Sequence, residues 1–443
     1  MTPYRCSCPA EGFSWLSALA PHEPDALVTP PMPGVAASGL AGLWPVSEWR
    51  MGPDGGREEL KGFCFGSPGP ALGFLAYHAG FVPMGLDLPR PDFPAGVFRK
   101  YAVLLAPSPD ARQVHIFSDD PAKAREAAAL IRNGEGVHMH GHARTAARLP
   151  AFPGSLRASL DRPGYEKAVG RALTHILDGD VYQLNLSIRF EADMPAGLSP
   201  TRLFLDLMHS HPAMFYGLYH DSKYAIVSTS PERFVRVRQG RVLSQPIKGT
   251  RVVRALTHSG AQAATDRLAA REEALRELLN SPKEDAELAM IVDLIRNDMG
   301  AHCEYGSVSV SGHRSVFEVD GLLQAYSSVE GRLREGSTCL DLLWDAMPPG
   351  SVTGCPKRRA MEIIAALEPH HREASYGCLA VVHGPRDLDS SVAIRTAVAD
   401  SGRGTLSFQA GSGIVVDSDP GMEYEETLAK AAKFLALTGR ARA

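Results

Sequence analysis

The stretch YAIVSTSPERFVRVRQGRVLSQPIKGT, residues 224–250, decides how the chain is read. YAIVSTS (224–230) is rich in β-branched residues, and Pro231 stops it because proline cannot donate to a sheet ladder. ERFVRVR and RVLSQP then flank Gln239 and Gly240, which is the pattern of an antiparallel hairpin. A two-residue turn pairs Glu232 with Ile247, and a three-residue turn pairs it with Lys248. Either register sets the Glu232 carboxylate beside the Lys248 amine. Such a pair is more often a salt bridge than an acid and its nucleophile.

Upstream, VYQLNLSIRF (181–190) alternates Tyr182, Leu184, Leu186, Ile188 and Phe190 with Gln183, Asn185, Ser187 and Arg189. A half-buried strand is predicted, whose polar face either lines a pocket or meets solvent. Before it, Val169, Leu173, Ile176 and Leu177 keep a helical period after Pro163. Residues 137–155 lose periodicity and read as a linker between a Gly/Pro-rich region, 1–145, and a longer one, 155–438. The first region holds short strands such as YAVLLA (101–106) and one helix around PAKAREAAALIRNG. His138, His140 and His142 lie in the linker with no carboxylate or cysteine near them, which favours a solvated tract over a metal site.

Downstream, two helices carry acids. In KEDAELAMIVDLIRND (283–298) Glu284 and Glu287 share a face, while Leu288, Ile291, Leu294 and Ile295 form the apolar stripe. In EYEETLAKAAKFLAL (423–437) Glu423, Glu426 and Lys430 share a face. Acids from two helices suit a hard divalent cation, and two solvated helix faces are the plain alternative. GSVTGCPKRRAMEII (350–364) reads as a turn into a helix with Pro356 near its first position. In QAGSGIVV (409–416) the glycines are expected to precede a strand, and none opens a helix, so a dinucleotide fingerprint is excluded.

Composition bounds the rest. A chain of 443 residues exceeds one ordinary core, and 44% hydrophobic with 22% charged residues is a globular balance. With 46 basic against 50 acidic residues, no charge-driven affinity for nucleic acid or anionic membrane follows. No segment offers the roughly 20 unbroken apolar residues of a spanning helix. The N-terminus lacks a secretory pattern, so a cytoplasmic location is expected. The 7 scattered cysteines read as reduced thiols.

QPIKGTR (245–251), AELAMIVDLIRND (286–298), GSVTGCPKRRAMEI (350–363), AIRTAV (393–398) and SGIVVDSDPGMEYEETLAKA (412–431), in this order, resemble the chorismate-utilising enzymes. The weaker GFLAYHAGF (73–81) is similar to the family's N-terminal half. The resemblance implies an α+β fold of packed, mainly antiparallel sheets with outer helices, and a Mg²⁺ ion that holds the ring carboxylate of chorismate. It makes Glu287 and Glu426 metal ligands, with Glu423 and Glu284 as helpers. Arg395 and Lys430 match the positions that receive substrate carboxylates, as a planar guanidinium suits a planar anion. Thr353 and Gly354 match the loop beneath the ring, and Gly411 and Gly413 match glycines that offer backbone N–H groups.

Two positions choose a branch within the family. Hydrating members carry a lysine base where this chain has Gln183, and anthranilate synthases usually carry PIAGT or PISGT where it reads PIKGT. It therefore looks most like aminodeoxychorismate synthase component I, which aminates chorismate at C4. The resemblance makes Lys248 the nucleophile at C2 of the ring and Glu232 the acid for the departing C4 hydroxyl. No cysteine stands in a GxCxG-like elbow, so ammonia is expected from a separate glutamine amidotransferase subunit. Gln324, Ser375 and Ala380 depart from the family's usual histidine, tyrosine and glycine. Another amination of chorismate or isochorismate, or a chorismate-binding protein without turnover, are the alternatives.

Overall fold

The computed structural model describes residues 4–9, 13–32, 35–53, 55–134, 152–253, 261–319 and 322–438. The histidines at 138, 140 and 142, and most of the expected linker, lie outside them. Among the described residues, twenty strands join through antiparallel ladders into one connected sheet system, with the helices packed outside it. The ladders run between the two sequence regions. Asp25–Thr29 pairs with Phe215–His220, and Ala71–Leu75 pairs with Cys378–Gly384. One core cluster is built largely from strands facing each other, with Leu27, Phe74, Phe215, Tyr219, Leu379 and Val398 among its members. This is sheet packed on sheet, the arrangement expected of the fold class.

The strand expected at 181–190 runs Gln183–Asp193, and its polar face is not solvated. Leu184, Leu186 and Ile188 are buried on one side, and Gln183, Asn185 and Ser187 are buried on the other. The solvated alternative fails because other segments cover that face, with Ser187 Oγ donating to Glu368 Oε1 and meeting His370 Nε2. Thr405–Ile414 pairs along one edge, and Gly354–Cys355 bridges the other. Tyr182, read as part of the apolar face, lies before the strand and is exposed. The preceding helix, Arg162–Leu177, buries Val169 as predicted, whereas Leu177 in its last turn is exposed.

The glycines of QAGSGIVV lie inside a strand rather than ahead of one, since Thr405–Ile414 includes Gly411 and Gly413. Both acidic helices form where caps allow. Pro282–Gly300 starts behind Ser281, whose side chain accepts the Glu284 N–H, and Pro420–Leu437 starts behind Asp419, which accepts the Met422 N–H. Each has proline in its first turn, where a missing N–H costs nothing. Leu288 and Ile291 are fully buried, each contributing roughly 2 kcal/mol, which fixes the helix rotation and leaves Glu284 and Glu287 on another side.

Candidate active site

Lys248 sits on the strand Ile247–Val252, which pairs with Leu322–Arg332. Lys248 lies opposite Ala325 and Thr250 opposite Gln324, so Gly249 is an extra residue that bulges the ladder. Its φ of +82° is a left-handed conformation, and a Cβ there would come within 2.4 Å of Glu284 Oε2. The KG pair in PIKGT thus has a backbone reason. The Lys248 amine reaches within 3.6 Å of Glu287 Oε2 and lies over the bare Cα of Gly413, where a Cβ would stand 2.6 Å from Nζ.

Glu232 is 4% exposed. Ser351 Oγ donates to its Oε1 at 2.6 Å, and the Ile247 backbone N–H donates as well. Burial raises its pKa to about 7, outweighing the opposing pull of these donors and of the Lys248 and Lys430 charges. The hairpin turn is the two-residue one, with φ of +51° at Gln239 and +77° at Gly240. Neither predicted pairing of Glu232 forms, because the ladder slips by one residue between Arg233 and Arg236. Glu232 nevertheless faces the lysine strand, where it meets the backbone of Ile247 and the field of Lys248.

Three of the four acids face cations, and the fourth a hydroxyl. Glu426 pairs with Lys430 at 2.7 Å, Arg251 with Glu284, and Ser418 Oγ donates to Glu423 Oε1 at 2.7 Å. Burial lifts the pKa of Glu284, Arg251 opposes the rise, and the Glu287 and Glu426 carboxylates add to it. The carboxylates of the two helices are therefore within electrostatic reach of each other. Among the described residues no three His, Cys, Asp or Glu side chains form a ready ligating cluster. The donor set is nonetheless all oxygen, and its crowded negative charge is what a hard divalent cation relieves. The residues fit such an ion.

Thr353, fully buried, gives its hydroxyl to Pro349 O at 2.9 Å, and its carbonyl accepts from Asn185 N–H. Gly354 bridges to Leu184 at the same place. Gly411 pairs with Ser187 and Gly413 with Asn185, yet Ser187 N–H goes to Glu368 and Asn185 N–H to Thr353. Both pairs are thus the non-bonded kind, so the N–H and C=O of Gly411 and Gly413 point away from the Gln183 strand. On that side Lys430 Nζ donates to Gly411 O at 3.2 Å. Arg395 occupies the turn between Asp387–Val392 and Thr396–Asp400 with a φ of +48°.

Lys248, Glu232, Glu287, Glu426, Lys430 and Gly413 are therefore one electrostatic neighbourhood. Ser351 was not singled out by its sequence, and no spacing points from residue 351 to residue 232. Gln183, Asn185 and Gln324 are buried with side-chain amide atoms that have no protein partner. Such atoms find partners in water or ligand. Ser375 and Ala380 are buried, the latter in the strand Cys378–Gly384.

A profile described as chorismate binding enzyme matches residues 53–436. The chain is 32% identical over 338 residues to anthranilate synthase component 1 of Bacillus subtilis, a match covering 76% of this chain and 62% of that relative, under two thirds of its length. It is 35% identical over 376 residues to aminodeoxychorismate synthase component 1 of Klebsiella aerogenes, covering 83% of this chain and 76% of the relative. The solved anthranilate synthase component I of Streptococcus pneumoniae superposes with a TM-score of 0.74 at 26% identity, over 90% of this chain and 92% of that one.

Proposed function

The chain belongs to the chorismate binding enzyme family, and from that premise we propose that it aminates chorismate at C4, giving 4-amino-4-deoxychorismate with ammonia from a separate glutamine amidotransferase subunit. The observation that carries this reading is the meeting of Lys248 with a buried acid, Glu232, at a glycine bulge. As an ammonium, Lys248 pairs with Glu287. As a free amine it can attack C2 of the ring while the C4 hydroxyl leaves. Glu232, with a pKa near 7, is poised to protonate that hydroxyl, which departs as water. A proton moved from Lys248 to Glu232 makes nucleophile and acid together with no change in net charge. Ammonia then forms its bond at C4 as the bond between C2 and Lys248 breaks, and the lysine leaves as the amine.

Arg395 and Lys430 take the substrate carboxylates, with Thr353 and Gly354 beneath the ring, and the backbone N–H groups of Gly411 and Gly413 point away from the Gln183 strand, the side on which Lys430 stands. Glu287 and Glu426, helped by Glu423 and Glu284, would hold Mg²⁺. When bound, that ion neutralises and orients the ring carboxylate. Anthranilate formation is the second reading, favoured by the match to anthranilate synthase component 1 of Bacillus subtilis. Incubating the pure chain with chorismate, Mg²⁺ and ammonium, then identifying the product, separates the two. Release of anthranilate and pyruvate, or return of unchanged chorismate, overturns C4 amination.

A further inference from the structure

We infer that Thr229 and Lys433 are positioning residues that lock Arg395 in the backbone conformation from which it receives a substrate carboxylate. The inference rests on the carboxylate role proposed for Arg395. With φ at +48°, Arg395 holds a left-handed conformation that a residue with a side chain rarely adopts. Such a residue stays there only when its surroundings over-determine it.

The anchors are on two separate segments. Thr229, in the strand Tyr224–Ser230, donates to Arg395 O twice, from its backbone N–H at 3.1 Å and from Oγ1 at 3.2 Å. Lys433, on the helix Pro420–Leu437, donates to the same Oγ1 at 2.8 Å. A hydroxyl that accepts from an ammonium is a stronger donor to the next acceptor. Beside it Ser228 Oγ meets Thr396 Oγ1 at 2.8 Å, and Thr396 Oγ1 donates to Ile394 O at 3.0 Å, closing the other flank of the turn. Thr229 is fully buried, three positions before Glu232 in sequence, and Lys433 stands one turn after Lys430. The carboxylate arginine is thereby tied to the strand that leads to the acid and to the helix that carries Glu423 and Glu426.

The test uses the whole chain with Mg²⁺. Chorismate binding is followed by calorimetry, and ammonium-dependent turnover is measured alongside, for T229V, T229S, K433M, R395Q, T229V/R395Q and K433M/R395Q. T229V and K433M should each weaken chorismate binding and raise KM about tenfold with kcat within about twofold, since ground-state and transition-state binding fall together. T229S should behave as the parent. In the R395Q background the same changes should add less than about twofold, because residues acting through one group are not additive. If T229V does not fold, the half-buried Lys433 carries the same comparison. No loss of affinity in R395Q overturns the carboxylate role and this inference with it. Weak binding by R395Q beside normal binding by T229V and K433M overturns the inference alone, as does an undiminished loss from either change in the R395Q background.

Discussion

Ser351 Oγ donates to Glu232 Oε1 at 2.6 Å, joining two residues 119 positions apart in the chain. A donor aimed at a carboxylate favours its charged form, so Ser351 holds down a pKa that burial has raised to about 7. If Glu232 takes the proton of Lys248, kcat/KM per unit of free NH₃ should be sustained above pH 7 and fall as the pH drops through 7, where both groups are protonated and no free amine is left. S351A should move that acid limb upward by about one pH unit, because one donor to the anion is gone. A limb that stays in place in S351A removes Glu232 from the role.

Lys248 separates covalent from electrostatic catalysis. K248A should lower C4 amination by roughly a thousandfold, and K248R should not restore it, because a guanidinium keeps the charge but is no nucleophile. Mass spectrometry of quenched enzyme should find the adduct on the peptide that contains Lys248. Near-normal amination by K248R would falsify the adduct mechanism.

Gly413 offers a substitution whose cost is functional. A Cβ at this position would stand 2.6 Å from Lys248 Nζ, the mobile end of a long side chain, so the lysine can yield and the fold can persist. G413A should melt within about 3 °C of the parent and lose at least about tenfold in kcat, because a nucleophile displaced by an ångström is no longer aligned. Retained kcat would mean that the lysine does not act from the position seen here.

The metal reading turns on Glu287 and Glu426. Chelation should abolish turnover reversibly, and E287Q and E426Q should each raise the Mg²⁺ concentration needed for half-maximal rate by at least about tenfold, since each removes one anionic oxygen ligand. Magnesium titration of the rate gives the answer. Two unchanged titration curves would leave the acids as partners of Lys248 and Lys430 only.

Much of the fold was legible because local chemistry wrote it. Pro231 ends a strand where expected, Gln239 and Gly240 turn a hairpin, and Glu284, Glu287, Glu423 and Glu426 lie on the two helices read from their spacing. The family motifs likewise name Lys248 and Glu232 without any coordinates. What the alternation of polar and apolar residues in the Gln183 strand could not tell was whether its polar face met water. That depended on groups that arrive from far along the chain, such as Glu368 and His370 against Ser187.

The same reason limits the site. The sequence by itself determined the residue types and the family, since these are written in contiguous stretches. Only the tertiary structure decided that a one-residue slip between Arg233 and Arg236 shifts the Glu232 register, that Ser351 hydrogen-bonds its carboxylate, and that Thr229 joins Lys433 to the backbone of Arg395. Hydrogen bonds and burial depend on distance in space. Residues 229, 395 and 433 carry no signal of their contact in their spacing, because the sheet that brings them together is assembled from strands across the whole chain.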